Sequence, residues 1–213
     1  MNRFITFEGV DGCGKSTQLS RAAAWLRDLG HDVVTTFEPG DTPLGGEIRT
    51  LLLAGEFVPA AESELLLFLA DRAQHVREVI RPALDAGAWV LCDRFSDSTL
   101  AYQLAARKLD EGEADLRQML RFAECGVSPS LTLWFDVSVD EAMRRMQKRA
   151  ASGEKATRLD DEAASFHRRV AAAFRQQYQL EPQRMARMDA AQDMDGVERQ
   201  VVELLGRRFG LTS

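Results

Sequence analysis

Phe4-Ile5-Thr6-Phe7-Glu8-Gly9-Val10-Asp11-Gly12-Cys13-Gly14-Lys15-Ser16-Thr17-Gln18-Leu19 runs from a short apolar segment, through three glycines, into a helical pattern. Gly9 to Ser16 fits Gly-x-x-x-x-Gly-Lys-[Ser/Thr] between a buried strand and a helix, the context that gives this pattern its meaning. Glycines let the backbone curl so that successive N–H groups face one concavity, where an anion supplies the acceptor they lack. The following helix start adds unpaired donors and its positive dipole end. Gly9, Val10, Asp11, Gly12, Cys13, Gly14, Lys15, Ser16 and Thr17 are therefore candidate polyphosphate ligands. Lys15 is placed to reach the β- and γ-phosphates and the Ser16 hydroxyl to ligate Mg²⁺. Cys13 reads as a small residue beside the phosphates, although a thiol at a helix N-terminus can be unusually reactive.

Outward from this loop, strand-length apolar runs alternate with longer stretches of helical period, the pattern of a parallel sheet covered on both faces. Strands are expected at Val33 to Phe37, at Trp89 to Cys92, at Leu131 to Phe135 and, on weakly β composition, at Arg184 to Met188. Helices are expected at about 16–30, 44–54, 61–80, 96–107, 113–125, from Asp140, at 162–180 and at 197–209, with Pro82 interrupting before a short helix that stops at Gly87. The third strand finishes in Asp93-Arg94. A carboxylate at the carboxyl end of a parallel strand lies where open α/β sheets bind ligands, which makes Asp93 the second candidate metal ligand beside Ser16.

The 213 residues form one domain, 1–213, with no internal repeat or linker. Twenty-seven Lys and Arg against 33 Asp and Glu leave a net charge of −6, so no overall field attracts a nucleic acid polymer or an anionic membrane. Three scattered cysteines suit a reducing cytoplasm and neither a disulfide framework nor a zinc site. The longest apolar run, Leu65 to Ala70, is too short to cross a bilayer.

Among phosphate-loop classes, guanine-reading GTPases need an Asn-Lys-x-Asp loop, yet the only asparagine is Asn2. Motor and repair ATPases carry two acidic residues after the metal-holding strand, where this chain has Asp93-Arg94. An arginine beside the metal carboxylate points to a second anionic substrate.

At this level the chain resembles the thymidylate kinase (dTMP kinase) family of nucleoside monophosphate kinases. The resemblance rests on Phe7 to Thr17, on Glu38-Pro39-Gly40 with Thr42-Pro43-Leu44-Gly45, on Ile48-Arg49 with Leu51-Leu52-Leu53, on Leu67-Phe68-Leu69-Ala70-Asp71-Arg72-Ala73-Gln74-His75, and on Val90 to Phe95 through Asp97-Ser98-Thr99-Leu100-Ala101-Tyr102-Gln103. It implies a P-loop NTPase fold with five parallel strands ordered 2-3-1-4-5, flanked by helices and carrying a short lid at about 149–159. It also implies a homodimer, Mg²⁺ as cofactor, and ATP and dTMP as substrates. By this resemblance Phe68 stacks on thymine, Arg72 donates to its O4, Thr99 and Gln103 meet the base and the neighbouring polar edge, Tyr102 lies under the sugar and crowds out a 2′-hydroxyl, and Ser98 is a further substrate-binding residue. Arg49 and Arg94 clamp the acceptor phosphate, Asp11 holds the 3′-hydroxyl or a metal-bound water, and Glu38 and Pro39 line the substrate side. Lys15, Arg94 and a lid arginine, Arg149 or Arg158, carry the transfer, within the cation cluster Arg145, Lys148, Arg149, Lys155 and Arg158.

The chain departs from the family pattern in two motifs, and its lid segment is somewhat longer than in many members of the family. Arg-Glu-Pro-Gly-Gly-Thr appears as Phe37-Glu38-Pro39-Gly40-Asp41-Thr42, with one cation lost and one anion gained near the expected acceptor phosphate. Tyr-Gln-Gly-x-Gly-Arg-Gly appears as Tyr102-Gln103-Leu104-Ala105-Ala106-Arg107-Lys108, which is more helix-prone. Two other functions suit the same residues. One is a deoxynucleoside kinase with Glu38 as the base for a 5′-hydroxyl, and the other a regulatory nucleotide-binding module without turnover.

Overall fold

The structure is a computed structural model that describes residues 2–54, 58–109, 113–152, 157–160 and 162–211. In chain order its elements are β1 (Phe4–Glu8), α1 (Lys15–Asp28), β2 (Val33–Phe37), α2 (Pro43–Leu53) and α3 (Ala61–His75). A π-helical segment (Val76–Ile80) leads into α4 (Arg81–Asp85), then β3 (Trp89–Asp93), α5 (Ser96–Thr99) and a second π-helical segment (Leu100–Ala106). α6 (Glu113–Ala123), β4 (Leu131–Asp136), α7 (Val139–Ala151), α8 (Ala164–Leu180), β5 (Met185–Asp189) and α9 (Met194–Phe209) complete it.

The strands form one parallel sheet in the order β2-β3-β1-β4-β5, as the resemblance implies. Central β1 is buried at every position because helices cover both faces. Its alternate residues serve different cores, as the two-residue strand period requires. Ile5 and Phe7 join the cluster formed with Leu19, Ala23 and Leu26 of α1, Phe174 of α8 and Val201 of α9. Phe4 points the other way, to Val76, Ile80, Val90 and Phe95. β5 has weak strand formers but pairs with β4 from Thr132↔Met185 to Asp136↔Asp189, so pairing and burial outweigh propensity there.

Two helical expectations need correction. Pro82 does not interrupt the helix. The turn before it widens, Arg81 N–H reaching back to Val76 O, an i→i−5 bond, and the helix passes through the proline into α4. The run after β3 is likewise not uniformly α-helical, because Arg107 N–H bonds Tyr102 O and Leu109 N–H bonds Leu104 O. The second widened turn carries Tyr102 and Gln103, which border a cleft, and such turns often occur at functional sites.

Candidate active site

The carboxyl ends of β1, β2 and β3 open into a cleft of about 640 Å³. At one end is the loop from Gly9 to Gly14. Gly14 precedes α1 at φ 95°, a left-handed conformation that side chains resist, and a Cβ on Gly12 would strike the Ala142 carbonyl. The loop is thus pressed against α7 and aims its mouth at the cleft. Lys15 is buried, its Nζ donating to Gly9 O at 3.1 Å and Val10 O at 3.0 Å. Ser16 Oγ donates to Asp93 Oδ2 at 2.5 Å, so the two candidate metal ligands from β3 and α1 converge. Val10 and Cys13 turn into the core, and with Gly9 they back the loop and do not border the cleft. Burial pushes the Cys13 thiol up, against the pull of Lys15 and Arg94, which opposes the reactive-thiol reading.

Arg94 follows β3 at φ 74°, a left-handed backbone that costs a non-glycine residue about 1–3 kcal/mol. That turn sends its guanidinium back over the loop. It donates to Asp11 Oδ1 at 2.6 Å, Ser98 Oγ at 2.9 Å and Tyr102 Oη at 3.2 Å, and lies 4.9 Å from the Tyr102 ring centre. Tyr102 donates to Asp11 Oδ2 at 2.9 Å. Burial alone would raise the Asp11 carboxyl. The Arg94 and Lys15 charges and the Tyr102 hydrogen bond outweigh it and hold the group well below the usual carboxylate range. Behind them Glu8, at the end of β1, accepts from Phe95 N–H at 2.7 Å and Ser98 Oγ at 2.5 Å. Burial and the neighbouring Asp97 push it up to about 8.

The far end of the cleft is built from side chains of distant segments. Arg72 is 2 % exposed and donates from Nε and Nη2 to Glu38 Oε2 at 2.9 and 2.7 Å, and from Nη1 to Thr99 Oγ1 at 2.9 Å. Three of its five N–H groups are so used, which leaves two for the cleft that it borders. Glu38 Oε1 receives His75 Nδ1 at 2.9 Å, and His75 Nε2 meets Thr36 Oγ1 at 2.5 Å. Both Glu38 oxygens are therefore committed, and a locked carboxylate is poorly suited to act as a base for a hydroxyl. Asp41 is turned toward β2, where it accepts from Thr36 Oγ1. Glu38–Pro39 is a cis peptide bond. Arg49 donates to Pro39 O at 2.7 Å and lies over the Phe37 ring at 5.5 Å. Asp71 accepts from Gly40 N–H at 3.0 Å. Burial and the Glu38 charge push it up to about 6, against the opposing pull of His75, the Gly40 bond and Arg72.

Of the residues expected from the sequence, Asp11, Gly12, Gly14, Lys15, Ser16, Thr17, Glu38, Pro39, Arg49, Phe68, Arg72, Asp93, Arg94, Ser98, Thr99, Tyr102 and Gln103 border this one cleft. The two lid arginines separate. Arg149, from α7, borders the cleft. Arg158 does not. It is drawn to Glu64, to Leu52 O at 3.1 Å and to Glu162, and serves as a fastening between the lid segment and the helices α2 and α3. Arg145 pairs with Glu141 on its own helix at 2.7 Å, and Lys155 lies outside the described residues. Sequence reasoning gave no role to His75, Asp71 or Glu64. The available signal was their spacing: 64, 68, 71, 72 and 75 fall along one face of α3, with Phe68 and Arg72 among them.

A family model described as "Thymidylate kinase" matches residues 7–201. A thymidylate kinase of Syntrophus aciditrophicus is 44 % identical over 205 residues, covering 94 % of this chain and 93 % of that one. One of Thermomicrobium roseum is 50 % identical over 190 residues, covering 89 % and 88 %. The crystal structure of thymidylate kinase from Ehrlichia chaffeensis superposes with a TM-score of 0.76 at 31 % identity, covering 96 % of this chain and 98 % of that one. The chain belongs to the thymidylate kinase family, and with it to the ATP-dependent nucleoside monophosphate kinases.

Proposed function

We propose that the protein transfers the γ-phosphate of ATP to the 5′-phosphate of dTMP, giving ADP and dTDP. The observation that carries this reading is that Lys15 and Arg94 face one continuous cleft, which runs from the phosphate loop to Phe68, Arg72 and Thr99. The attacking group is a phosphate oxygen already ionised near neutral pH, because its second pKa is about 6, so no general base is needed. Glu38, held by Arg72 and His75, is not asked to be one. What the reaction needs is relief of repulsion between two polyanions and stabilisation of charge on the moving phosphoryl group. Lys15 and the loop N–H groups serve the donor phosphates, Arg94 and Arg49 the acceptor phosphate, and Arg149 closes from the lid side.

Ser16 and Asp93 suit Mg²⁺, which takes one or two protein oxygens and fills its other positions with water and substrate phosphate. When bound, the ion would neutralise charge on the transferred group. In the acceptor pocket Phe68 stacks on the base, Arg72 donates to its carbonyl, Thr99 meets its edge, Tyr102 lies under the sugar and Asp11 binds the 3′-hydroxyl.

A homodimer is supported by exposed apolar side chains on the packed pair α3 and α6, namely Leu66, Met119 and Phe122, the last 84 % exposed. Free cysteines are in keeping with a reducing cytoplasm. Among the described residues no helix is long and apolar enough to cross a membrane.

A coupled ADP-release assay across the common nucleoside monophosphates and nucleosides tests the assignment. The expected result is highest kcat/KM with dTMP. Turnover of thymidine without dTMP would make the protein a deoxynucleoside kinase, and ATP binding without any turnover a regulatory module.

A further inference from the structure

Glu64 stands one helical turn before Phe68 on α3 and is 1 % exposed. Three side chains from two separate parts of the chain converge on it. Gln103 donates from Nε2 at 2.9 Å, Arg107 from Nε and Nη2 at 3.1 Å each, and Arg158 from Nη2. Burial would push this carboxyl up, but the hydrogen bonds from Arg107, Gln103 and Arg158 more than reverse it and hold the group below its ordinary range. An ionised carboxylate has no proton to give and can only accept. The Gln103 amide therefore meets Glu64 with its NH₂ edge, and its planar geometry turns Oε1 the other way. Gln103 borders the cleft, and among the described residues no donor meets that oxygen. Thr99, which receives Arg72, lies four residues before Gln103 on the same helical run, and Arg72, Thr99 and Gln103 border the one cleft, so a held acceptor and the remaining donors of Arg72 line the same cavity.

We propose that Glu64 is a specificity-determining positioning residue, which acts by deciding which end of the Gln103 amide faces the base. The inference rests on the dTMP reading above. An acceptor beside a donor matches a base that offers a ring N–H next to a carbonyl, as a 4-oxopyrimidine does. A 4-aminopyrimidine offers the reverse pattern, a bare ring nitrogen next to an amino group, and leaves both protein groups unpaired. A site built on such polar matches rejects the mismatched ligand more strongly than a site built on apolar fit.

The test is kcat/KM for dTMP and for dCMP, with thermal melting of each variant as a check on folding. The wild-type enzyme is expected to prefer dTMP by about a hundredfold or more. Glu64→Gln can present either a donor or an acceptor, so Gln103 is released. The preference is expected to narrow by about tenfold or more through KM for the monophosphate, with KM for ATP changed by less than about twofold. Gln103→Met, which removes the acceptor, should narrow it as much. Arg107→Gln leaves Glu64 an acceptor held by Arg158 and should keep the preference to within about threefold. A folded Glu64→Gln with the wild-type preference, or equal narrowing in Arg107→Gln, overturns the proposal. Should Glu64→Gln fail to fold, an unchanged preference in Gln103→Met overturns it alone. A wild-type protein that phosphorylates thymidine and not dTMP would overturn the underlying dTMP reading instead.

Discussion

The two ends of the cleft are made of different material. The donor end is a contiguous stretch, Gly9 to Thr17, whose working groups are largely backbone N–H donors fixed by glycines and by contact with α7. The acceptor end has no such stretch. Glu38, Arg72 with His75, and Thr99 come from three places in the chain and hold each other through buried hydrogen bonds between side chains. A backbone nest tolerates changes around it but depends on a single cation. A buried side-chain network spreads its task over many groups and ties binding to stability.

The largest test of that contrast is Lys15→Ala. At the donor end it should lower kcat by on the order of a thousandfold while thermal melting stays near wild type, since among the described residues the ammonium hydrogen-bonds only loop carbonyls and the Cys13 thiol. Near-normal turnover would remove Lys15 from the mechanism. At the acceptor end Arg72→Leu should instead unfold more easily, by about 3–5 kcal/mol, because Glu38 loses its buried partner. Urea melts read this directly, and a loss of dTMP affinity without loss of stability would mean that the network is not cooperative. Phe68→Ala, at the wall of the same pocket, should raise KM for dTMP about tenfold or more and leave ATP binding intact. Equal losses for both nucleotides would make Phe68 structural. Replacing dTMP by dUMP should cost about 1–3 kcal/mol in kcat/KM, the worth of one methyl group in a fitted pocket. Equal rates would argue against such a pocket.

The smallest effect concerns pH. Asp71 has its carboxyl raised from about 3.8 to about 6 in the folded protein. Between those values the folded chain keeps a proton that the unfolded chain has released, so this group's contribution to stability falls as pH rises through that window. Asp71→Asn should therefore flatten the dependence of stability between about pH 4 and 6, measured by melts in matched buffers. An unchanged slope would mean that Asp71 does not titrate there.

The same contrast explains what could be read from the residues alone. The donor loop was legible because its chemistry needs neighbours in sequence: a strand, glycines, a lysine and a hydroxyl. Five strands were legible because a covered parallel sheet leaves alternating apolar runs, and even weakly β Met185–Asp189 lay close to its expected place. The acceptor network was reachable only through family resemblance, since no spacing rule links Glu38 to Arg72 or Gln103 to Glu64. The roles of His75 and Glu64 were hidden because a histidine or a glutamate on a helix face reads the same whether it meets solvent or a buried partner. Pro82 misled because a proline is taken to end a helix, and the widened turn that admits it leaves no mark in composition.

The widened turn at Leu100–Ala106 also sets a constraint on how this protein can change. One residue more than a regular helix needs is accommodated between Thr99, which serves Arg72, and Arg107, which serves Glu64. The widening absorbs that residue, so the turns on either side keep the facing of an unbroken helix, but one further inserted residue, with no second widening to take it up, would swing everything after it by about 100° around the axis. Thr99 would keep its partner while Arg107 was carried away from its own. Growth of this segment is therefore closed to drift in steps of one, while shortening by one residue returns it to a regular helix.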